Sequence, residues 1–442
     1  MSLPRYPRYR DPGVAWLDRL PEHWRVVPLW WLYSREKRVG FPEETMLSVY
    51  RDYGVVEKDS RSDNFNRTAD DRNIYQLVED GWLVTNRMKA WQGSVGISLQ
   101  RGIVSGHYIC FRPQHSESDD YLNWLFRSPV YTAAYHLISR GVRPSQAEID
   151  NDDYRVLPVV LPPIEEQRQI ARYLQSETGK IDTLVAKQEQ LIEVLRERRA
   201  AVIADAVTMG LNPEAPTMDS GADWVGAVPR HWTIAPLKRF GSVKLGKMLQ
   251  SESSNEEDIQ APYLRAANVQ PDGVLAIEDV KTMWFAPDEL ATHDLTAADV
   301  VVVEGGIGGY GRAAYLKEPI AGAGFQNSIN RVRPFRPNDG RYLTYFLIMA
   351  RHVGYIAAYC DIVSMPHLTA EKLEAMRMPI PPPEEQRAIA DFLDEQTSGI
   401  DTLIDTARQF IDLSRERRAA LVAGMVTGQM DVRSEATPGA AA

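Results

Sequence analysis

The sequence predicts an α+β protein built as a tandem duplication, in which two mixed α/β domains alternate with two long helices. Three observations support this fold class. A helical segment at 162–208 recurs without a gap at 381–427. A shorter segment rich in tryptophan and proline precedes each helical copy. Short strand patterns fill the regions between these repeats, and 442 residues are enough for several domains.

The helical repeat is the strongest signal in the chain. Both copies contain the blocks PPxEEQRxIA, IDTL and RERRAA in the same order, and more than half of the aligned positions are identical. Two unrelated helices would not share ordered blocks of this kind. The duplication therefore predicts two similar frames in one chain.

The segment that precedes each helical copy is a weaker repeat. Its members in the first copy are Trp16, Pro21, His23, Trp24 and Pro28, and with the same spacing Trp224, Pro229, His231, Trp232 and Pro236 in the second. The two histidines recur beside tryptophans, so they are interpreted as framework residues and not as metal ligands. The intervening regions, about 30–160 and 238–379, share little sequence, which suggests one frame that carries two different inserts.

Each helical copy is expected to contain a short helix and then a longer one. Gly179 and Gly399 predict a break, and the longer helices run from about 181 to 207 and from about 400 to 426, or roughly 40 Å each. Apolar residues recur at helical spacing along both. The members of this stripe that we select are Ile181, Leu184, Leu191, Leu195, Ile400, Leu403, Phe410 and Ile411.

A lone helix of this kind would expose its apolar stripe to water. Antiparallel pairing of the two copies would bury both stripes and form a coiled-coil spacer with pseudo-twofold symmetry. The alternative is that each helix packs on its own domain. The predicted division is 1–160 and 213–379 for the globular domains, 161–212 and 380–430 for the helical spacers, and 431–442 for a disordered tail.

The first globular region contains three predicted strands, at 82–85, 95–99 and 102–105. The loop between the first two combines cations, amides and an aromatic ring, which is a mixture that suits contact with nucleic acid. Its candidate residues are Arg87, Lys89, Trp91, Gln92 and Ser94. The alternative for Trp91 is a core residue with solvated neighbours.

The second globular region carries arginines and amides in short stretches around 263–268 and 326–331. Arginine, asparagine and glutamine are the side chains that bind base edges through two hydrogen bonds, although isolated amides more often form turns. The candidate DNA-contacting residues here are Lys244, Lys247, Tyr263, Arg265, Asn268, Arg312, Gln326, Asn327, Asn330 and Arg331.

Two glycine-rich stretches resemble nucleotide-binding motifs but lack their context. Residues 306–311 fit G-x-G-x-x-G, yet a strand and not a helix is expected to follow, so we predict a hairpin. Residues 241–248 nearly fit the phosphate-loop motif G-x-x-x-x-G-K-[ST]. Their last residue is Met248, however, and methionine cannot bind magnesium as the serine or threonine of that motif does. The RERR blocks suit either phosphate or partner contacts, or a solvated helix end, which we favour over DNA contact.

The overall composition restricts the class of protein. The net charge of −10 argues against DNA binding unless the cations are gathered on one face. The chain has only two cysteines, far apart in sequence, which argues against a disulfide framework. A membrane-spanning helix needs about 18 consecutive apolar residues, and no apolar run approaches that length. We expect a cytoplasmic protein without a catalytic or metal site.

The repeated pattern of Trp16, Pro21, Trp24 and Pro28, followed by PPxEEQRxIA and IDTL, resembles the specificity subunit of type I restriction–modification systems. The segment 86–94 is similar to one class of target recognition domain in that family, as are Tyr263–Arg265 and Gln326–Asn327 in the second half. The resemblance covers nearly the whole chain.

The resemblance implies two target recognition domains, each of which reads one half of a split site in double-stranded DNA. The helices would dock two modification subunits, with restriction subunits as further partners. Those partners would bind S-adenosylmethionine, ATP and Mg, and this chain would bind none of them. The motif residues assigned to the spacer and its partners are Glu165, Gln167, Arg168, Glu384, Gln386 and Arg387. The alternatives are a nucleotide-binding enzyme that uses the loop 305–311, and a coiled-coil scaffold without DNA contact.

Overall fold

The structure is a computed structural model that describes residues 3–60, 71–141, 147–306, 309–360 and 367–433. The chain divides into two compact units. The first, unit 1, comprises 1–188 together with 408–442, and the second, unit 2, comprises 189–407. Each unit therefore combines one globular region with part of each helical repeat.

Unit 1 is a mixed α/β unit made of short elements. Its strands are β1 Tyr9–Arg10, β2 Leu20–Pro21, β3 Arg25–Pro28, β4 Tyr33–Arg35, β5 Leu47–Tyr50, β6 Gly54–Glu57, β7 Gln76–Val78, β8 Leu83–Asn86, β9 Val95–Ile97, β10 Gly102–Val104, β11 Tyr108–Pro113, β12 Ser139–Arg140, β13 Glu148–Ile149 and β14 Pro158–Leu161. Its helices are α1 Leu29–Leu32, α2 Asp119–Phe126, α3 Pro129–Leu137 and α4 Asn151–Arg155, and α5 Ile164–Met209 begins in it.

The main sheet of unit 1 has four antiparallel strands in the order β4-β11-β8-β9. Strands β8, β9 and β10 confirm the three strands predicted in this region. Successive side chains of these strands are buried on both faces of the sheet, because Leu83 belongs to one core cluster and its neighbour Val84 to another. Strand β3 pairs with β14, which brings the start of unit 1 next to the strand that leads into α5.

Unit 2 contains a similar set of elements. Its strands are β15 Thr217–Asp219, β16 Ala227–Pro229, β17 Thr233–Pro236, β18 Gly241–Leu245, β19 Ile259–Leu264, β20 Lys281–Phe285, β21 Val300–Val303, β22 Ala313–Tyr315, β23 Gly324–Phe325, β24 Ile329–Pro334 and β25 Arg377–Ile380. Its helices are α6 Pro287–Thr292, α7 Gly340–His352, α8 Tyr355–Tyr359 and α9 Ala370–Ala375, and α10 Pro383–Val426 begins in it.

The main sheet of unit 2 has four antiparallel strands in the order β18-β24-β21-β22. A separate three-stranded sheet places β19 between β20, its antiparallel neighbour, and β23, its parallel neighbour. Strand β17 pairs with β25 as β3 pairs with β14 in unit 1. The predicted hairpin around the glycine-rich stretch is confirmed, because β21 and β22 pair antiparallel across it.

The two main sheets have the same strand order, although their sequences show little similarity. In chain order, the first strand of each sheet pairs with the fourth, the fourth also pairs with the second, and the second forms a hairpin with the third. The hairpin β8–β9 in unit 1 is therefore equivalent to β21–β22 in unit 2. The duplication extends through the variable regions, which the sequence comparison did not reveal.

The two long helices are continuous, so the predicted breaks at Gly179 and Gly399 are wrong. Helix α5 runs from Ile164 to Met209 and α10 from Pro383 to Val426. One glycine costs a helix about 1 kcal/mol, and the packing of turns on both sides outweighs that cost. At 1.5 Å per residue α5 is about 69 Å long, not roughly 40 Å.

Each unit holds segments of α5 and α10 side by side. In unit 2 the end of α5 meets the region before α10, because the Tyr342 hydroxyl donates to the carbonyls of Val207 and Pro379 at 3.2 and 2.9 Å. In unit 1 the end of α10 meets the region before α5, because Gly428 packs against Pro21 and Trp24. Within each unit the two helical segments therefore run in opposite directions.

The compact units do not coincide with the domains inferred from the repeat, which describe duplication and not packing. Of the predicted disordered tail, Asp431, Val432 and Arg433 are ordered in unit 1. Val432 is buried, and the Asp431 amide donates to the Pro4 carbonyl at 2.8 Å. The rest of that prediction, 434–442, lies outside the described residues.

Candidate nucleic-acid interface

The hairpin loop 86–94 of unit 1 is held in one shape by its own hydrogen bonds. The Asn86 side chain accepts from the Met88 amide at 3.1 Å, and the Lys89 carbonyl accepts from the Gln92 and Ser94 amides at 3.0 and 3.2 Å. Gly93 has a φ of +90°, which favours glycine. A loop fixed in this way presents its outward side chains in a defined pattern.

Lys89 and Gln92 are exposed on this loop and are free to reach a ligand. The Arg87 side chain is 48% exposed and pairs with Glu148 at 2.7 Å. Trp91 is half-buried, and its indole nitrogen donates to the Met88 carbonyl at 3.1 Å. It is therefore neither a fully buried core residue nor a fully exposed DNA-contacting residue. Ser94 is buried at 6% exposure, which corrects its prediction as a DNA contact.

The equivalent hairpin of unit 2 carries the glycine-rich stretch. Gly311 has a φ of +74°, and an added Cβ would lie 2.8 Å from the Ile356 side chain. A side chain at this position would therefore disturb the turn. The predicted contact residue Arg312 is half-buried at the end of the loop, and Ile307 and Gly308 lie outside the described residues.

A second patch in unit 2 brings together three of the predicted residues. The backbone of Lys247 forms an isolated parallel β-bridge with that of Gln326, and the Asn327 amide donates to the Lys247 carbonyl at 2.8 Å. The approach is close because a Cβ on Gly246 would lie 2.1 Å from the Gln326 carbonyl oxygen. The G-x-x-x-x-G-K pattern thus marks a tight backbone crossing and not a phosphate loop.

This patch also contains residues that the sequence analysis missed. Met248 is 76% exposed and Leu249 53% exposed beside Lys247, whose ammonium group pairs with Glu289. No periodic pattern in the sequence marks these two apolar side chains as exposed. Lys244 is half-buried, and burial, with the nearby Arg331, lowers its pKa.

Three residues of unit 2 predicted to contact DNA are instead buried in its framework. Tyr263 is 5% exposed, Asn268 3% and Asn330 0%. The Asn268 side chain accepts from the Arg265 amide at 2.9 Å and donates to the Ala276 carbonyl at 2.8 Å. Asn330 donates to the Leu368 carbonyl at 2.8 Å. Their amides satisfy buried backbone groups, so the prediction that they contact DNA is wrong.

Arg331 is also withdrawn into the unit, which corrects its predicted contact with DNA. Its side chain is 8% exposed and donates to the carbonyl and carboxylate of Asp294 at 2.6 and 2.8 Å. Burial, followed by the charge of Arg333, lowers its pKa. Arg333 in turn pairs with the fully buried Asp299 at 2.7 Å. Arg265 stays accessible at 28% exposure and pairs with Asp279 at 3.1 Å.

The EEQR motif positions the globular parts on the long helices. Gln167 is fully buried, accepts from the Ser118 amide at 2.9 Å and donates to the Pro162 carbonyl at 2.8 Å. Gln386 makes the corresponding bonds in unit 2, with the Asp339 amide at 2.9 Å and the Pro381 carbonyl at 2.8 Å.

Ser118 and Asp339 are the N-caps of α2 and α7, so both glutamines tie a helix start to the frame. Gln167 and Gln386 are thus framework residues, which corrects their assignment as partner contacts.

The first glutamate and the arginine of each EEQR motif lie on the surface. Glu165 and Arg168 form a pair at 2.6 Å, with side chains that are 71% and 55% exposed. Glu384 and Arg387 lie 3.9 Å apart and are 82% and 54% exposed. Such exposed pairs contribute little to stability, so these four residues stay available to a partner.

The apolar stripe of the helices is only partly buried, which corrects the prediction that pairing covers it. Leu195, Ile400 and Ile411 are buried at 6–7% exposure, and Ile181 is half-buried. In contrast, the exposed members are Leu184 at 46%, Leu191 at 44%, Leu403 at 54% and Phe410 at 41%. Val194 and Leu413, which the sequence analysis did not select, are 59% and 65% exposed.

The exposed residues fall at equivalent positions of the two repeats, since Leu184, Leu191 and Val194 align with Leu403, Phe410 and Leu413. Each helix therefore carries a buried face and a second, exposed apolar face. Repeated exposed apolar groups of this kind are typical of a surface that another protein covers.

The last arginine of each RERR block pairs with the aspartate of the other copy's IDTL block. Within unit 2 Arg199 Nε lies 3.0 Å from Asp401 Oδ1, and within unit 1 Arg418 Nε lies 3.0 Å from Asp182 Oδ1. The Arg199 side chain is only 9% exposed. Both arginines precede the helix ends by several residues, so the solvated-helix-end interpretation does not apply to them.

The described residues contain neither a cluster suited to a metal ion nor a helix suited to a membrane. No group of three or more histidine, cysteine, aspartate or glutamate residues in that part of the chain is arranged to hold a metal ion. None of the helices described there is both long and apolar enough to cross a membrane.

Comparisons with known proteins agree with this geometry. A family model described as the type I restriction modification DNA specificity domain matches residues 229–409. The chain is 22% identical over 427 residues to the type I restriction enzyme MjaVIII specificity subunit of Methanocaldococcus jannaschii, which spans 94% of this chain and 95% of the relative. It is 25% identical over 335 residues to the putative MjaX specificity subunit of the same organism, covering 74% and 72%.

Solved structures show the same fold. A chain from a type I restriction–modification system, solved to explain complex assembly and conformational transition, matches with a TM-score of 0.68 and 15% identity over 93% of this chain and 99% of that one. The HsdS subunit from Thermoanaerobacter tengcongensis matches with a TM-score of 0.50 and 15% identity, covering 93% and 98%. Residues 229–409 thus match the type I restriction modification DNA specificity domain, and over nearly its whole length the chain is similar to specificity subunits of type I restriction–modification systems.

Proposed function

We propose that this chain is a non-catalytic subunit that recognises a bipartite DNA sequence and directs partner adenine methyltransferase and endonuclease subunits to it. The observation that carries the proposal is the pair of equivalent hairpins on sheets of identical strand order. One tip presents Arg87, Lys89 and Gln92, and the other is rich in glycine and ends at Arg312. Equal frames with unequal tips suit a protein that reads two different half-sites.

The long helices act in this proposal as an antiparallel coiled-coil spacer between the two readers. The ion pairs Arg199–Asp401 and Arg418–Asp182 support it, because each joins one copy of the repeat to the other within a unit. A rigid spacer would fix the gap between the half-sites, as dimeric DNA-binding proteins fix theirs near one helical turn.

The exposed apolar faces of the helices support docking of modification subunits. They occur once per repeat, so we propose two copies of that partner, with restriction subunits as further members of the complex. S-adenosylmethionine, ATP and Mg would be bound by those partners and not by this chain. The nucleotide-enzyme alternative is not favoured, because a strand and not a helix follows the glycine-rich loop.

The test is DNA footprinting of the complex between this chain and its modification subunit. The proposal expects two protected segments separated by an unprotected gap of constant length. Lys89→Ala together with Gln92→Ala should weaken binding at one segment, by about tenfold or more for two lost contacts to DNA, and leave the other unchanged. Asn327→Ala should act on the other segment.

Lys187→Ala is the matched control, since it removes an exposed cation from α5 and not from a hairpin. It should leave both segments protected. One continuous protected segment would contradict recognition of a bipartite site. Unchanged binding by both the Lys89/Gln92 hairpin variant and the Asn327 patch variant would favour the scaffold alternative.

A further inference from the structure

Glu166 of unit 1 is the centre of a closed hydrogen-bonded cluster. Its carboxylate accepts from the Tyr6 hydroxyl at 2.6 Å and the Trp24 indole at 2.9 Å, and it lies 2.9 Å from His23 Nε2. The Tyr6 residue is 3% exposed and the Glu166 side chain 6%. Burial and the neighbouring carboxylate raise the pKa of Tyr6, so the phenol stays a donor.

Glu385 is the equivalent residue of unit 2, but its cluster is incomplete. It accepts from the Trp232 indole at 2.9 Å and lies 2.7 Å from His231 Nε2, as Glu166 does with Trp24 and His23. Its side chain is 42% exposed. The two clusters share the tryptophan and the histidine. They differ in the third donor, which is the Tyr6 hydroxyl in unit 1.

The strand register shows what replaces the phenol. Tyr9 pairs with Pro21 in unit 1, and Thr217 pairs with the equivalent Pro229 in unit 2. Counting back three residues from these strands places Glu214 at the position of Tyr6. Glu214 is exposed and carries an acidic side chain, which does not substitute for a buried donor to a carboxylate.

A cavity of about 280 Å³ lies beside Glu385 in unit 2. Its lining is mainly apolar and includes Met209, Leu211, Pro229, Ala388 and Ile389, with Asn212, His231 and Glu385 as polar residues. An aromatic ring that carries one hydrogen-bond donor combines the two properties this lining requires.

We propose that this cavity, beside Glu385 and Trp232, binds the tyrosine side chain of another polypeptide, whose hydroxyl donates to Glu385 as Tyr6 does to Glu166. The ring packs on the apolar wall. A polypeptide is the natural source, because the group that donates to Glu166 in unit 1 is itself a tyrosine, carried by the segment that precedes β1. The proposal does not depend on DNA recognition and applies to the chain alone.

The first experiment titrates the full chain with N-acetyl-tyrosinamide and follows binding by ligand-observed NMR. N-acetyl-phenylalaninamide is the matched probe without the hydroxyl, and it should bind about tenfold more weakly, as one hydrogen bond to a charged acceptor is lost. Glu385→Ala should remove this difference. Glu384→Ala is the control, because that side chain is 82% exposed and does not line the cavity, and it should leave binding unchanged.

A second variant tests the location. Ala388 is exposed and lines the cavity, so Ala388→Phe fills the space without disturbing buried packing and should abolish binding of the probe. Binding that survives Ala388→Phe, or equal affinity for the two amides, would overturn the proposal. Tighter binding of p-cresol than of N-acetyl-tyrosinamide would point to a free phenol and contradict a polypeptide occupant.

Discussion

Asp119 is a carboxyl group whose environment disfavours its charge. It lies in the first turn of α2, and burial, followed by the charges of Asp80 and Asp120, raises its pKa to about 6. An ordinary aspartate has a pKa near 3.9 in an unfolded chain. The folded protein therefore binds this proton more tightly than the unfolded chain does between about pH 4 and pH 6.

We expect stability to fall as pH rises through this window, because ionisation of Asp119 then opposes folding. Asp119→Asn should abolish that part of the pH dependence and stabilise the protein at pH 7 by about 2 kcal/mol, with little change at pH 4. Urea unfolding at the two pH values measures the effect. Asp120→Asn is the matched control because Asp120 is exposed, and an equal gain in that variant would refute the assignment.

The sequence predicted the candidate interface only in part, and its amide residues show why. Gln326 and Asn327 lie half-buried at the patch beside Lys247, whereas Asn268 and Asn330 are buried. The same amide group satisfies a backbone carbonyl or a base edge equally well. Residue type therefore selects candidates, but only the tertiary packing separates framework amides from accessible ones.

The long helices carry glycines that fulfil no visible role in their conformation. An added Cβ at Gly179 or Gly399 would meet no atom within 4 Å. Gly179→Ala and Gly399→Ala should therefore each stabilise the protein by about 1 kcal/mol, the difference in helix propensity between the two residues. Thermal unfolding of the single and double variants measures this, and additive gains are expected because Gly179 and Gly399 lie in different compact units.

Gly210→Ala is the contrasting control. Gly210 follows α5 with a φ of +72°, and a Cβ there would lie 3.0 Å from the Trp232 ring. This variant should lose stability by more than about 1 kcal/mol. Destabilisation by Gly179→Ala would mean that the helix bends or is contacted at that point, contrary to its regular conformation.

At the level of elements, the repeat predicted the helices, their apolar stripe and their antiparallel pairing, but not which residues of the two copies meet. The 3.6-residue period is a local property, so it can be read from sequence. The pairing of Arg199 with Asp401 depends on two copies that are far apart in the chain, and nothing local distinguishes that arginine from Arg196 or Arg198. The glycine break was predicted from propensity alone, which tertiary packing overrides.

Over the whole molecule, the duplication is deeper in structure than in sequence. Strand order is conserved between the two main sheets, although the residues on them have diverged, because strands buried on both faces need only a short run of apolar residues. The net charge of the chain is −10, and some of its cations are already paired with carboxylates inside unit 2, as Arg331 and Arg333 are. The proposed DNA contact would then depend on a few exposed side chains and on partner subunits.

The exposed apolar faces of α5 and α10 predict how many modification subunits the whole chain binds. Leu191→Asp with Val194→Asp places charge on the exposed face of α5, and Phe410→Asp with Leu413→Asp does the same on α10. Because burying an unpaired charge in an interface is costly, each double variant should lose one of two bound modification subunits. Native mass spectrometry of the purified complex measures the stoichiometry.

The matched controls are Thr183→Asp with Gln190→Asp on α5 and Thr402→Asp with Gln409→Asp on α10, which add the same charge at exposed polar positions of the same helices. They should retain both partners. If either double variant released both modification subunits, the two faces would form one shared surface, and the proposal of one seat per repeat would fail. Loss of a single subunit in each case follows only if the duplication that shaped the frame also duplicated the docking surface.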